Sequence, residues 1–356
     1  MAAPGLGGMT WDDPSYEKQV RRGLADVERL LLDVVQSEYP FVTETSRHLL
    51  NAGGKRFRPL VVLLAAHVAQ AAVAATTGGR PPAADDGGGV PPEVLQAAVA
   101  IELTHLSTLY HDDVMDEALR RRGAPSANAR WDNTIAILTG DFLFARASEI
   151  TADLGTEATR ILARTIAVLC EGQIRETVGP ADGQDPIEHH LRVLAEKTGS
   201  LIATSGRLGA LLVGADTDTV DRLTAFADRI GVAFQISDDL LDITSSGDDS
   251  GKTPGTDLRE GIRTLPVLYL LASPAADDDA DAARLRELLL GGSPGLAAAE
   301  HAEALALLRR SPALERARGT LQTWADEARD LLAPLPACAG RAALEALCEL
   351  VVTRTG

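Results

Sequence analysis

Two eight-residue segments, LYHDDVMD at 109–116 and QISDDLLD at 235–242, carry the same acidic pattern inside otherwise apolar runs. An α-helix places residues four apart on one face, so Asp112 lies above Asp116 and Asp238 above Asp242. Like charges one turn apart weaken an isolated helix. A chain that does this twice needs a packed helical frame and something positive held against each turn. The frame is legible elsewhere: apolar residues recur at intervals of three and four, as in VERLLLDVV (27–35), and no convincing run alternates as a strand would. Aromatic residues are only 4 %, a composition that favours packed helices over sheets.

Helices are expected at 15–51, from Pro59 to about 76, and at 94–119, 132–153, 156–178, 187–214, 218–245, 262–272, 280–291, 296–309, 312–332 and 339–353. Residues 77–93, TGGRPPAADDGGGVPPE, read as a mobile surface loop, and 273–284 and 292–295 as further loops. The expected organisation is a flexible N-terminus over 1–14 and one all-helical domain over 15–356.

A net charge of -17 repels nucleic acid at long range. It also means that an anionic substrate needs a local reversal of sign, from metal ions or clustered Arg and Lys. Cys170, Cys338 and Cys348 lack metal-ligand spacing, and their odd number suits reduced thiols. The start of the chain has no basic-then-apolar signal pattern, and LVVLLAAHVAQAAVAA (60–75) falls short of a bilayer span. A soluble, cytoplasmic protein is expected.

Hard cations take oxygen ligands, and Mg²⁺ combines one or two carboxylates with water and substrate phosphates. Two such clusters on helices could hold several Mg²⁺ around a diphosphate, which would relieve the repulsion within each turn. GGKRFRP (53–59) supplies Lys55 and Arg58 beside a helix start, where backbone N–H groups favour phosphate as well.

In order along the chain, GGKRFRP (53–59), HLSTLYHDDVMD (105–116), RRGAP (121–125), GDFLFARA (140–147), EKTGSL (196–201), GVAFQISDDLLD (231–242) and GKTPGTD (251–257) resemble the trans-isoprenyl diphosphate synthase (polyprenyl synthetase) family. The likeness runs from about residue 15 to the C-terminus. It implies an all-α, isoprenoid synthase-type helix bundle with a deep central active-site cavity. The implied reaction joins isopentenyl diphosphate to an allylic prenyl diphosphate and releases pyrophosphate, with Mg²⁺ as cofactor, three ions per site. By resemblance Asp112 and Asp116 ligate two ions and Asp238 a third, with Asp113, Asp239 and Asp242 acting nearby, directly or through water. Arg121, Lys197 and Lys252 would contact the allylic diphosphate, while Lys55, Arg58, His105 and Arg122 form the isopentenyl diphosphate site. Thr198 and Gln235 match positions near the allylic cation. The released pyrophosphate is the family's usual base, and no protein base stands out. The resemblance also implies a homodimer, with transient membrane contact for release of a lipid product.

Positions one and two turns before Asp112 lie progressively deeper along a helix. Those positions are Thr108, Ser107 and Thr104, and Ser107 and Thr108 are small where short-chain members of the family place a bulky aromatic floor. A long product of about C30–C50, a quinone side-chain precursor, is therefore expected; the alternative is a short-chain farnesyl or geranylgeranyl diphosphate synthase. Two departures from the family pattern are Arg263 for a common Lys and Asp132 for a common Gly, the latter a candidate N-cap. A class I terpene cyclase would pair one DDxxD with a different metal motif. A non-catalytic subunit of a heteromeric synthase would usually have lost an Asp cluster. Both clusters are intact here.

Overall fold

The computed structural model describes residues 8–79, 89–245, 254–273, 279–291 and 297–354. Lys252 and residues 80–88 of the expected loop lie outside them. The helices are α1 (Pro14–Val34), α2 (Pro40–Asn51), α3 (Phe57–Thr77), α4 (Pro92–Met115), α5 (Ala127–Arg130), α6 (Asn133–Asp153), α7 (Thr156–Val178), α8 (Pro186–Leu194), α9 (Ser200–Leu211) and α10 (Thr217–Thr244). They continue as α11 (Thr256–Arg259), α12 (Leu265–Ala272), α13 (Ala280–Leu290), α14 (Ala298–Arg310), α15 (Pro312–Leu332) and α16 (Ala339–Thr353). Among the described residues the only strands are β1 (Arg120–Arg121) and β2 (Ala124–Pro125), an antiparallel pair. The fold is all-α, as the periodicity predicts.

Three expectations need correction. The helix over 15–51 is two helices, because Pro40 forces Tyr39 into extended backbone (φ -93°, ψ 107°) and then starts α2. The helix expected to reach Leu119 stops at Met115, and Glu117 then turns left-handed at φ 49°. The helix over 187–214 is interrupted by a π-helical turn, Ala195–Gly199. Asp132 does cap α6, its carboxylate accepting the Ile135 N–H at 2.8 Å.

Contacts divide the chain into two compact units. The first comprises Met1–Ala167, Ser200–Ala227 and Leu331–Leu347. Its core is α3, buried almost all round and packed against α1, α4 and α9, with α4 in turn against α6. A Cβ on Gly209 would lie 2.5 Å from the Val62 carbonyl, so only glycine lets α9 approach α3 this closely. By length and composition α3 could cross a membrane, contrary to the expectation from its sequence, yet 72 % of its most apolar window is buried inside the fold. Core burial accounts for that hydropathy.

The second unit comprises Val168–Gly199, Asp228–Asp330 and Cys348–Gly356. Here α12 packs on α8 and α13, and α14 on α11 and α13. The Tyr269 hydroxyl meets Thr320 Oγ1 at 2.8 Å, under the Arg316 guanidinium 4.1 Å from the ring.

Candidate active site

In the first unit the acidic turn ends α4. Asp112 is half-buried, Asp116 is the C-cap with a side chain 59 % exposed, and Asp113 is buried. Asp113 receives the Arg121 Nε–H at 2.6 Å, and the same guanidinium lies 3.9 Å from Asp116. Burial pushes Asp113 above the ordinary carboxylate range while Arg121 pulls the other way. Arg121 reaches it because the chain reverses tightly: Arg122 (φ 52°) and Gly123 (φ 78°) are the two central residues of the β1–β2 turn. Positive φ at both positions is the primed two-residue hairpin geometry, natural for glycine and costly for arginine. That turn also aims Arg122 back at the end of α2, where its Nη1 donates to the Leu49 carbonyl at 3.1 Å and to the Gly53 carbonyl.

A basic cluster surrounds His105. Burial first, then Arg58, Arg122, Arg56 and Arg121, hold the imidazole well below its usual pKa, so it is neutral. Arg56 has a structural part. It is buried, left-handed at φ 49°, and bonded to Glu28 (3.1 Å at Nη2) and Glu102 (2.9 Å). Burial works against its charge, but the two carboxylates more than offset that and its pKa is raised. Burial also lowers the Arg122 pKa, with Glu102 opposing and Arg56 and Arg121 assisting. Arg56, Arg58, Arg121 and Arg122 thus act together on His105, while Glu28 and Glu102 offset part of the charge at Arg56 and Asp113 part of that at Arg121. The cluster can take an anion.

On α4, Thr104 and Ser107 are buried and Thr108 is half-buried; the two threonine hydroxyls bond back to the Ala100 and His105 carbonyls at 2.8 Å. Tyr110 points elsewhere, its hydroxyl donating to the Thr45 carbonyl at 2.5 Å. It is tied to α2.

In the second unit the repeated turn lies near the end of α10. Asp238 accepts from Arg354 Nη1 at 2.9 Å and keeps 36 % of its side chain exposed. Asp239 is buried and accepts from Gln235 Nε2 at 3.0 Å; His190 Nε2 stands 3.8 Å from its other oxygen. Burial holds His190 down to about pKa 4, so it brings no charge at neutral pH. Asp239 is accordingly pushed well above the usual carboxylate range by burial, with Asp257, Asp238 and Asp242 adding to the shift and the Gln235 hydrogen bond opposing it. Asp242 caps α11, accepting the Thr256 and Asp257 N–H groups at 3.1 Å each.

Lys197 and Thr198 sit on the π turn. A Cβ on Gly172 would lie 2.7 Å from the Lys197 nitrogen, so glycine there lets the wide turn lie on α7. Glu196 anchors the turn between Arg175 (2.8 Å) and Arg192 (2.7 Å). Thr198 Oγ1 donates to Gln235 Oε1 at 3.3 Å, which extends the Gln235–Asp239 bond into one network, and Lys197 Nζ pairs with Glu176 at 2.5 Å.

Of the six aspartates read as ligands, Asp112 is half-buried, Asp116 is exposed and Asp238 keeps partial exposure while paired with Arg354; Asp113 and Asp239 are buried, and Asp242 accepts from the start of α11. Among the described residues no three Asp, Glu, His or Cys side chains converge as a ready ion cage. An all-oxygen donor set of one or two accessible carboxylates per turn fits a hard cation that completes its shell with water and phosphate. Sequence reading missed Arg354, Arg56 and His190. Arg56 stands inside GGKRFRP, but nothing local marks it as the arginine that turns inward; Arg354 is a lone basic residue near the C-terminus.

The polyprenyl synthetase family model matches residues 39–301. A nonaprenyl diphosphate synthase of Mycobacterium tuberculosis is 48 % identical over 351 residues, 99 % of this chain and 98 % of that protein. A dimethylallyltranstransferase of the same species is 41 % identical, covering 96 % and 97 %. A crystal structure of geranylgeranyl pyrophosphate synthase from Corynebacterium glutamicum, complexed with calcium and isoprenyl diphosphate, superposes with a TM-score of 0.80 at 41 % identity, covering 98 % of this chain and 99 % of that one. With the family model matching most of the chain, relatives of 41–48 % identity over nearly its full length and an all-α fold shared with that crystal structure, the chain belongs to the polyprenyl synthetase family of prenyltransferases.

Proposed function

We propose that the protein condenses isopentenyl diphosphate with an allylic prenyl diphosphate to give a long all-trans polyprenyl diphosphate. The observation that carries this reading is near-full-length similarity, at 48 % identity, to a nonaprenyl diphosphate synthase.

Asp112, Asp116 and Asp238 would hold Mg²⁺, three ions per site, which when bound supplies Lewis-acid stabilisation of the departing diphosphate. Asp113, Asp239 and Asp242 act from behind, holding Arg121, Gln235 and the start of α11. Arg121 and Lys197 bind the allylic diphosphate, together with Lys252, which lies outside the described residues. Lys55, Arg58, Arg122 and neutral His105 bind the isopentenyl diphosphate; a guanidinium fork matches phosphate oxygens. Thr198 and Gln235 turn side-chain oxygens toward the developing allylic cation. The small residues Thr104, Ser107 and Thr108 leave room for the growing tail. The exposed Ile137, Leu138 and Phe144 of α6 form an apolar strip suited to a homodimer contact.

Incubation with labelled isopentenyl diphosphate, allylic primers and Mg²⁺, followed by chromatography of the dephosphorylated product, tests the reading. All-trans chains of about C30–C50 are expected. Chains of C15–C20 would instead establish the short-chain alternative, which the dimethylallyltranstransferase and geranylgeranyl relatives favour. A cyclic hydrocarbon from primer alone, or no turnover without a second protein, would overturn both.

A further inference from the structure

Arg354 has no part in the reaction as drawn above, yet its side chain is only 16 % exposed and every nitrogen of its fork is used on one face of α10. Nε donates to Ser237 Oγ at 2.7 Å, Nη2 to the Phe234 carbonyl at 2.8 Å and Nη1 to Asp238 at 2.9 Å, with the guanidinium 4.2 Å over the Phe234 ring. Ser237 Oγ in turn donates to the Val351 carbonyl at 2.7 Å, which ties the last turn of α16 to the same face.

We propose that Arg354 is a placeholder cation: its guanidinium neutralises Asp238 in the metal-free protein and leaves the carboxylate when a divalent ion binds there, loosening the C-terminal turn. The proposal rests on the reading of Asp238 as a metal ligand. Physically, Asp238 lies next to the buried Asp239, on which Asp257, Asp238 and Asp242 all act repulsively. A fixed guanidinium relieves that repulsion without a metal. A dication on the same carboxylate repels the guanidinium from a few ångströms, a separation at which like charges near a protein surface interact strongly. The two positive charges compete for one ligand, so Arg354 sets how readily the second turn loads.

The test uses full-length protein without substrate, with Mn²⁺ as the probe and free Mn²⁺ read by paramagnetic resonance. Arg354→Gln should bind Mn²⁺ roughly three- to tenfold more tightly, the span of a partly screened ion pair. Equal or weaker binding overturns the proposal. In the unaltered protein, saturating Mn²⁺ should speed amide exchange over residues 351–354, a readout that survives even if the variant folds poorly; unchanged or slower exchange overturns it too. Asp238→Asn separates the two layers. If it lowers Mn²⁺ binding while Arg354→Gln does not raise it, the placeholder role fails and the metal assignment stands. If it leaves binding intact, both fall.

Discussion

The two acidic turns share a spelling and differ in electrostatics. In each, the second aspartate of the pair is buried. In the turn ending α4 that residue, Asp113, is met by a guanidinium at 2.6 Å; in the turn on α10 its counterpart, Asp239, meets a neutral amide and an imidazole that burial keeps uncharged. The cation of the second turn goes to the first aspartate instead, Arg354 on Asp238. A buried carboxylate is stabilised only by what faces it, so one pattern yields a buried ion pair in one unit and a carboxyl inclined to stay protonated in the other.

The largest test of this comparison asks whether both turns serve the same chemistry. Asp112→Ala and Asp238→Ala should each lower turnover by about 10²–10³-fold, the usual loss for removing one electrostatic stabiliser, with helical content by circular dichroism unchanged. A near-normal rate in either variant breaks the equivalence of the turns.

The difference between them should appear in stability, with opposite signs. Arg121→Gln strands a buried carboxylate; breaking a fully buried pair costs about 3–5 kcal/mol, and because this guanidinium is partly exposed about 2–3 kcal/mol is expected from denaturant melts at pH 7. Asp239→Asn removes a carboxylate that, among the described residues, meets an amide and a neutral imidazole rather than a cation, and should stabilise the protein by about 1 kcal/mol. Destabilisation by Asp239→Asn would show that a positive charge serves it after all.

Proton linkage sharpens the same point. Asp239 is raised in the folded protein, so its favourable contribution is complete below the ordinary value of 3.8 and is lost as pH rises through the folded pKa. The advantage of Asp239→Asn should therefore vanish at acid pH and grow toward alkaline pH in paired melts; a constant difference would refute the shift. The smallest effect concerns length rather than rate. Ser107→Phe, on the helix of the first turn, should shorten the product by one or more five-carbon units with turnover largely kept, and an unaltered chromatogram would take that position out of the tail's path.

Much of this was legible in the sequence. α7, α15 and α16 run over the residues that their periodicity marks, and the Asp132 cap follows from the residue type alone. The remainder depended on partners distant in sequence. The π turn under Lys197 needs Gly172 on another helix, and the β1–β2 turn holds a strained arginine whose reward lies on α2. No local pattern records either.

The sequence by itself determined the helical class, the two acidic turns and the set of basic residues around them, because period, motif order and residue chemistry are properties of neighbours along the chain. Only the tertiary structure decided which aspartates stay partly exposed and which turn inward, that Arg56 is structural, and that Arg354 pairs with Asp238. Those outcomes depend on burial and on the charge facing each group, and both are set by residues far apart in sequence that packing brings within 3 Å, as Arg354 and Asp238 are at 2.9 Å.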